Sequence, residues 1–316
     1  MAIGIVYALA ACFVWGLVFV VPVFLPGFNT LEISAGRFAF YGLTSICMLI
    51  KTKLSRGTSY PLSKWIAASY FSLLSFVGFT MLVLCVRYSS AAICALILGI
   101  GPITIALYGN WREREQRFKK LFLPCSLIFV GLVMINAPQL STHQAPNEYL
   151  WGLLAGFVAL GCWSQYAVTN ARYLKRHPEM SPSDWTTLVG IIALLWACIF
   201  YGVFFTFVSS EASTLQLAST NDILTFLAGC TTLGLVCSWL GSFFWNQACV
   251  SLPVTLAGQI SVFETIFGVA FVCVLEQKIP PQIEFLGMGL LLGGVALGLR
   301  VWDLPEPQPS KWAGWT

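Results

Sequence analysis

Ten apolar segments, each about as long as a membrane crossing, follow one another along this chain of 316 residues. A helix needs about 20 apolar residues to cross the hydrocarbon core of a bilayer. Only 9% of the residues are charged and 58% are apolar, so the composition agrees with the segments. We therefore predict an all-α integral membrane protein with ten transmembrane helices. These spans, numbered 1 to 10, cover 3–25, 30–50, 64–86, 89–111, 119–137, 149–172, 184–207, 222–247, 252–276 and 282–301.

The basic residues predict the orientation of these spans. With the N-terminus in the cytoplasm, only Arg87 and Lys278 of the 17 Lys and Arg residues fall in external loops, and Arg37 lies within span 2. The polar loops 138–148 and 209–222 contain no Lys or Arg. Positive charge collects on the cytoplasmic side of membrane proteins. We therefore expect both termini to be cytoplasmic.

The two halves of the chain have similar sequences. An offset of 163 residues aligns Leu252–Glu276 with Ser89–Glu113, and it also matches Gly78 with Gly241 and Gly131 with Gly294. Because five spans are an odd number, the second half would enter the membrane from the opposite side. Inverted repeats of this kind are a common plan of secondary transporters, with the substrate site near the midplane between them.

The predicted division follows from this offset and from the loops. It gives a first repeat at 1–137, an external connecting loop at 138–148, a second repeat at 149–301 and a cytoplasmic tail at 302–316. All eleven cysteines lie in apolar segments and none clusters with a histidine, so we expect no metal site and no cofactor.

Short motifs recur at matching places in the two halves. Each half opens with a Trp-containing helix, Ala11–Gly16 (ACFVWG) and Ala159–Ser164 (ALGCWS), and Phe263-Glu264-Thr265 lies in span 9. Together with Arg37 in span 2 and the helix-closing Glu113 and Glu276, these motifs resemble the EamA-type domains of the drug/metabolite transporter superfamily. The chain departs from the family at Thr265, where proline is usual, and at Gly101 before Pro102, where glutamate is common.

Taken whole, the chain is most similar to the aromatic amino-acid exporters of bacterial inner membranes. The resemblance implies a secondary transporter, not an enzyme, that exports small amphipathic metabolites, aromatic amino acids first, by alternating access through a central cavity. Its partners would be a small-molecule substrate and the lipid bilayer, with no nucleic acid. Efflux of cationic drugs or other metabolites is an alternative. An integral-membrane lipid transferase is a remote one, because the sequence has no Asp-rich metal motif and no His–acid pair at a membrane face.

Two helix faces combine polar and aromatic residues, as a cavity for a flat ring requires. One is a stripe in span 8 within about 120° of arc, and the other is a face of span 6. Rings stack on aromatic ligands, but they also fill helix contacts and interfacial belts, and both interpretations are open. The expected substrate contacts are Trp163 and Tyr166 in span 6, Trp239, Ser242, Trp245 and Asn246 in span 8, Phe79 in span 3 and Gln259 in span 9.

Glu264 and Arg37 are the ionisable residues placed deepest in the predicted spans. Charges within a membrane are costly and usually face the protein interior or a wet cavity. Arg37 could meet a substrate carboxylate, and Glu264 an ammonium or a coupling proton; either could instead hold the structure together. Glycines four apart in span 10, Gly289/Gly293 and Gly294/Gly298, predict close helix packing, either inside the chain or in a dimer.

Overall fold

The computed structural model describes residues 1–25, 27–56, 59–89, 94, 97–113, 118–136, 146–207, 219–277 and 282–303. All regular structure in these ranges is helical, which agrees with the predicted all-α class. The helices are α1 Ala2–Val20, α2 Thr30–Arg56, α3 Leu62–Tyr88, α4 Gly101–Glu113, α5 Phe118–Asn136, α6 Pro146–Arg176, α7 Pro182–Phe207, α8 Thr220–Thr231, α9 Gly241–Ser251, α10 Val254–Ile260, α11 Phe263–Glu276 and α12 Gln282–Asp303. A 3₁₀ turn, Val21–Phe24, follows α1, and a π-helix, Thr232–Leu240, joins α8 to α9.

Five helices of the described chain are long and apolar enough to cross a membrane. They are Leu31–Leu54, Leu62–Cys85, Tyr149–Arg176, Pro182–Val203 and Thr220–Ser251. Shorter apolar helices occur at Ala2–Val18, Ile97–Gly109 and Phe285–Gly294. Helical residues thus occur in each of the ten predicted segments, while the count of ten crossings stays a prediction. Most of the loop 138–148, of the loop 209–222 and of the tail 302–316 lies outside the described residues.

Local sequence explains several helix starts. Ser219 and Asp222 form a capping box at the start of α8, in which the Ser219 hydroxyl accepts from the Asp222 N–H. The Ser181 hydroxyl accepts from the Asp184 N–H at 3.1 Å just before α7. Both caps satisfy N–H groups that the first helical turn leaves free.

The main helix contacts join the first half of the chain to the second. The pairs are α5 with α12, α3 with α6, α2 with α7, α4 with α10, and α1 with both α9 and α11. In this pattern the helices corresponding to spans 5 and 10, 2 and 7, and 4 and 9 pack on their own counterparts. Span 3 packs on span 6, and its counterpart, span 8, packs on span 1, the counterpart of span 6. Interchanging the two halves therefore leaves this set of contacts the same.

The contact between α5 and α12 is the same from either side. A Cβ added at Gly131 would lie 2.6 Å from the Gly287 carbonyl oxygen, and one added at Gly294 would lie 2.8 Å from the Pro124 carbonyl oxygen. The 163-residue offset that relates the two glycines also relates Pro124 to Gly287. Of the two predicted explanations for glycines in span 10, internal packing therefore holds at Gly294.

Gly289 and Gly293 behave differently from Gly294. A Cβ at either position would meet nothing within 4 Å. These two glycines therefore face away from the neighbouring helices that the structure describes.

The largest buried cluster of the described residues lies at the end of the bundle that the basic residues predict to be cytoplasmic. Trp185 and Leu188 of α7, Leu256 of α10, and Ala8 of α1 are all fully buried in it. Phe71 of α3 packs on Trp185 with ring centroids 5.4 Å apart. On the predicted cytoplasmic side of the midplane, this cluster holds together the ends of six helices: α1, α3, α6, α7, α9 and α10.

Candidate functional site

The segment predicted as span 9 is a broken helix. The prediction of one continuous helix was wrong, because α10 ends at Ile260 and α11 begins at Phe263. The Ser261 hydroxyl donates to the Gly258 carbonyl oxygen at 2.7 Å, which supplies a partner for a backbone group at the break. Glu264 lies in the first turn of α11 and is half-buried. A carboxylate is favourable there, since the first-turn N–H groups give the helix start a positive end.

The second irregularity is the π-helix Thr232–Leu240 in span 8. Its wider turn changes the angle between successive residues, so the stripe predicted at 100° per residue does not hold across it. The Ser238 hydroxyl donates to the Leu233 carbonyl oxygen, five residues back, at 2.8 Å. The same hydroxyl accepts from the Nε of Arg37 at 2.9 Å.

Arg37 crosses from α2 to this π-helix over an aromatic surface. Its guanidinium carbon lies 4.3 Å from the centre of the Phe79 ring, and 5.7 Å from that of Phe38. Phe79 is only 3% exposed, so the cation–π contact is made away from water. The Nη1 of Arg37 is buried and has no hydrogen-bond partner among the described residues.

Trp239 borders the same aromatic group. Its ring stacks on that of Phe243 with centroids 5.8 Å apart and an angle of 7° between planes. It also packs against the buried cluster that includes Phe38 and Phe79. Among the described residues, the buried indole Nε1 of Trp239 has no hydrogen-bond partner, and neither has either amide atom of Gln259, which is fully buried in α10.

Asn246 lies in a buried hydrogen-bond network between helices. Its Oδ1 accepts from the Nδ2 of Asn170 at 2.8 Å, and its own Nδ2 donates to the Oγ1 of Thr186 at 2.8 Å. The indole of Trp185 donates to the Oδ1 of Asn170 at 2.7 Å. All four residues are at most 1% exposed. The amide of Asn246 therefore ties α6, α7 and α9 together, and its predicted contact with substrate stays a prediction.

Two tryptophans make equivalent contacts with glycines. A Cβ at Gly78 would lie 3.1 Å from the Nε1 of Trp163, and one at Gly241 would lie 2.5 Å from the Nε1 of Trp15. Trp245 is 3% exposed and its ring lies 5.5 Å from that of Trp15. Trp163 is half-buried. In this structure Trp163 and Trp245 contribute to packing between the halves, and their contact with substrate is untested.

The remaining predicted residues lie between these groups. Tyr166 is half-buried, and its ring meets that of Phe71 edge-on at 5.7 Å. Ser242 is half-buried. The structure thus brings Arg37, Phe79 and Trp239 together, while Tyr166, Trp245 and Asn246 lie on or within the largest buried cluster, at the end predicted to be cytoplasmic. The hydrogen bond between Ser238 and Arg37 was not predicted from the sequence.

A charged cluster joins α3 to the loop between α6 and α7. The Nζ of Lys64 lies 2.7 Å from the Oε1 of Glu179, and the Nδ1 of His177 lies 3.0 Å from the same oxygen. The expectation that the chain has no His–acid pair at a membrane face was therefore wrong, because the loop after α6 brings His177 and Glu179 together. Hydrogen bonding to Lys64 lowers the pKa of Glu179 to about 2. Lys64 also lies over the ring of Tyr173 at 5.4 Å. No group of three His, Cys, Asp or Glu side chains in the described ranges is arranged to hold a metal ion.

Residues 2–137 match the EamA-like transporter family. The matches support placement in the drug/metabolite transporter superfamily. The predicted resemblance to EamA domains is confirmed for these residues. The chain is 28% identical to the inner membrane protein YtfF of Escherichia coli K12 over 94% of this chain and 95% of that protein. It is 23% identical to the uncharacterized transporter YyaM of Bacillus subtilis 168 over 88% of this chain and 90% of that protein.

A solved crystal structure shares the fold. That protein is 17% identical, and the TM-score is 0.74 over 94% of this chain and 96% of the other. Together with the apolar helices, the comparisons support a multi-pass protein of the inner membrane with a transporter role. The narrower similarity to aromatic amino-acid exporters stays a prediction.

Proposed function

We propose that this protein is a secondary transporter that exports small amphipathic metabolites, above all aromatic amino acids, across the bacterial inner membrane. The observation that carries the proposal is the helix break in span 9, where α10 ends at Ile260 and Glu264 lies in the first turn of α11. Discontinuous helices are how secondary transporters expose backbone and charge to a substrate near the midplane. The transporter YyaM and the inner membrane protein YtfF, which match most of the chain, support the same class.

Aromatic side chains around Arg37 favour a substrate with a flat ring. Phe79 lies under the guanidinium, and Trp239 stacks on Phe243 beside the same cluster. A ligand ring that joined such a group would gain about 0.5–1.5 kcal/mol beyond the burial of its area. An aliphatic metabolite would gain only the burial.

In the proposed alternating access, the helices of the first half move together with the helices of the second half on which they pack. The buried network around Asn246 and the ion pair of Lys64 with Glu179 join helices at the end predicted to be cytoplasmic. Export requires this end to open so that a cytoplasmic substrate can enter. We propose that the helix pairs rock as units, with the two five-span repeats exchanging roles.

The alternative substrate class is a cationic drug, which Glu264 with aromatic rings would attract. Arg37 opposes this alternative, since a second cation beside its guanidinium would be repelled in a medium of low dielectric. The test is exchange by the purified protein in proteoliposomes, with labelled tryptophan, threonine, methyl viologen and a sugar nucleotide as separate substrates. We expect tryptophan to exchange fastest. Exchange of methyl viologen alone would support the drug alternative, and exchange of none would refute the transporter proposal.

A further inference from the structure

A narrow cavity of about 260 Å³ lies between α2 and α7, toward the end of the bundle that is predicted to be external. The two helices touch at the inner end of this cavity, where a Cβ added at Gly42 would clash with Leu194. The cavity extends outward from that contact. The described residues that line it are Glu32, Ala35, Gly36 and Ala39 of α2, Leu194, Ala197, Cys198 and Tyr201 of α7, and Phe226 of α8.

The cavity runs along the two helices. Its lining extends over seven residue steps on each helix, from Glu32 to Ala39 on α2 and from Leu194 to Tyr201 on α7. At a rise of 1.5 Å per residue, each interval is about 10 Å long. Glu32 is in the first turn of α2, at its predicted external end. The cavity therefore reaches from the predicted external surface about a third of the way through a hydrocarbon core about 30 Å thick.

The rim of the cavity belongs to the outer, apolar surface of the bundle. Cys198, which lines the cavity, is exposed. Next to it on α7, Leu195 and Ile199 are each 53% exposed. Exposed apolar side chains that lie together mark a surface for a protein or a membrane, and this one lies on a predicted span. Lipid chains therefore have direct access to the cavity.

The size of the cavity indicates how much of a ligand it holds. Pockets that enclose a drug-sized molecule measure about 300–1,000 Å³. A cavity of about 260 Å³ with an almost wholly apolar wall holds one apolar part of a larger molecule. An acyl chain that enters along the helices has the required shape, since the cavity is elongated in the direction in which lipid chains lie.

Glu32 determines the chemistry of the external end. It is the only charged residue among the described residues of the lining, and it is 5% exposed. Its Oε2 accepts from the Asn29 N–H at 2.9 Å, which caps α2. A carboxylate has about four acceptor positions, so this cap is compatible with a hydrogen bond from a ligand ammonium. A headgroup with a net negative charge would be repelled there.

We infer that this cavity binds one phosphatidylethanolamine molecule of the external leaflet, with an acyl chain between α2 and α7 and the headgroup ammonium donating to Glu32. The ammonium is two carbons away from the phosphate oxygen, so the phosphate stays in water while the ammonium reaches the carboxylate. The inference goes beyond the proposed transport function and holds for any substrate.

The test measures lipid binding to the full chain, purified in detergent and freed of lipid. Native mass spectrometry compares phosphatidylethanolamine, phosphatidylcholine and phosphatidylglycerol that carry identical acyl chains. The quaternary ammonium of phosphatidylcholine cannot donate a hydrogen bond, and phosphatidylglycerol has a net negative charge and no ammonium. We expect phosphatidylethanolamine to bind about fivefold more tightly than either, because only it donates a charged hydrogen bond to Glu32. Equal affinities for the three lipids would overturn the inference.

Two substitutions then locate the lipid in the cavity. Glu32→Gln keeps an acceptor for the cap and removes the charge, so phosphatidylethanolamine should bind no better than phosphatidylcholine. Cys198→Trp places a ring in the mouth of the cavity and should weaken all three lipids by at least about tenfold, since several buried CH₂ groups of the chain lose their place. Ile199→Trp is the matched control, because Ile199 is exposed and is not among the lining residues; it should match wild type.

The melting temperature of each variant in the same detergent shows whether it is folded. The comparison of the three lipids on wild type, and of the two tryptophan variants with each other, does not depend on the folding of Glu32→Gln. A preference for phosphatidylethanolamine that survives in folded Glu32→Gln would overturn the inference. Equal lipid binding by Cys198→Trp and Ile199→Trp would overturn it as well.

Discussion

Adding one methyl group at Gly294 should separate α5 and α12, which are in close contact there. An alanine Cβ there would lie 2.7 Å from the Cγ1 of Ile128 and 2.8 Å from the Pro124 carbonyl oxygen. Carbon atoms in good contact are about 3.5–4.0 Å apart, so α12 must move by roughly 1 Å. The Ile128 side chain can turn, but the Pro124 backbone cannot yield without moving α5.

The expected cost follows from these distances. Overpacking a well-packed contact destabilises by about 1–3 kcal/mol, and the better helix propensity of alanine returns up to about 1 kcal/mol. We therefore expect Gly294→Ala to lower the free energy of unfolding by roughly 1–2 kcal/mol. Gly289→Ala is the matched control, because nothing lies within 4 Å of its Cβ. It should leave stability unchanged or raise it slightly.

The assay is thermal unfolding of each variant in the same detergent. Gly131→Ala should lower the melting temperature about as much as Gly294→Ala, since its Cβ would meet the equivalent carbonyl of Gly287 at 2.6 Å. The double variant should cost less than the sum, because one separation of the helices relieves both clashes. Equal melting temperatures for Gly294→Ala and Gly289→Ala would refute the packing argument.

Three further predictions concern the site and the end predicted to be cytoplasmic. Asn246→Ala leaves Asn170 and Thr186 without their partner, so the free energy of unfolding should fall by about 2–4 kcal/mol. Transport of phenylalanine and of threonine should decline together. An unchanged melting temperature would contradict the role of this network. Trp239→Ala should weaken phenylalanine binding about fivefold, because roughly 1 kcal/mol of ring stacking is lost, and it should have little effect on threonine binding. Equal losses of phenylalanine and threonine binding would refute an aromatic site at Trp239. Glu179→Gln should be less stable than wild type above pH 4.5, and this difference should disappear as the pH falls toward 2. The pKa of Glu179 is about 2 in the folded protein and 4.5 ordinarily, so its carboxylate stabilises the folded protein fully above pH 4.5 and progressively less as the pH falls toward 2. A melting-temperature difference that persists at pH 2 would contradict this role.

The class of fold could be predicted because a bilayer leaves a chain few choices. Long apolar segments must be helices there, since every backbone polar group needs an internal partner. The offset of 163 residues also predicted matched glycines, and the structure gives Gly131 and Gly294 equivalent contacts. In both cases the constraint lies in the sequence itself.

The site could be predicted only in part, because it depends on departures from regular helices. The break after Ile260 and the π-helix before Gly241 lie in apolar sequence whose pattern does not differ from that of a straight helix. Asn170 and Asn246 meet across 76 residues of sequence, so their pairing has no local signal. Arg37 and Glu264 were identified because charge inside a membrane span is rare, whatever the helix geometry.

Counterflow of tryptophan is a direct test of alternating access by a carrier for aromatic amino acids. Proteoliposomes loaded with unlabelled tryptophan are diluted into a trace of labelled tryptophan, with protein-free liposomes as the control. We expect labelled tryptophan to accumulate inside above its equilibrium level and then to decline as the unlabelled pool runs out. A slow rise to equilibrium with no overshoot, or the same time course without protein, would contradict it.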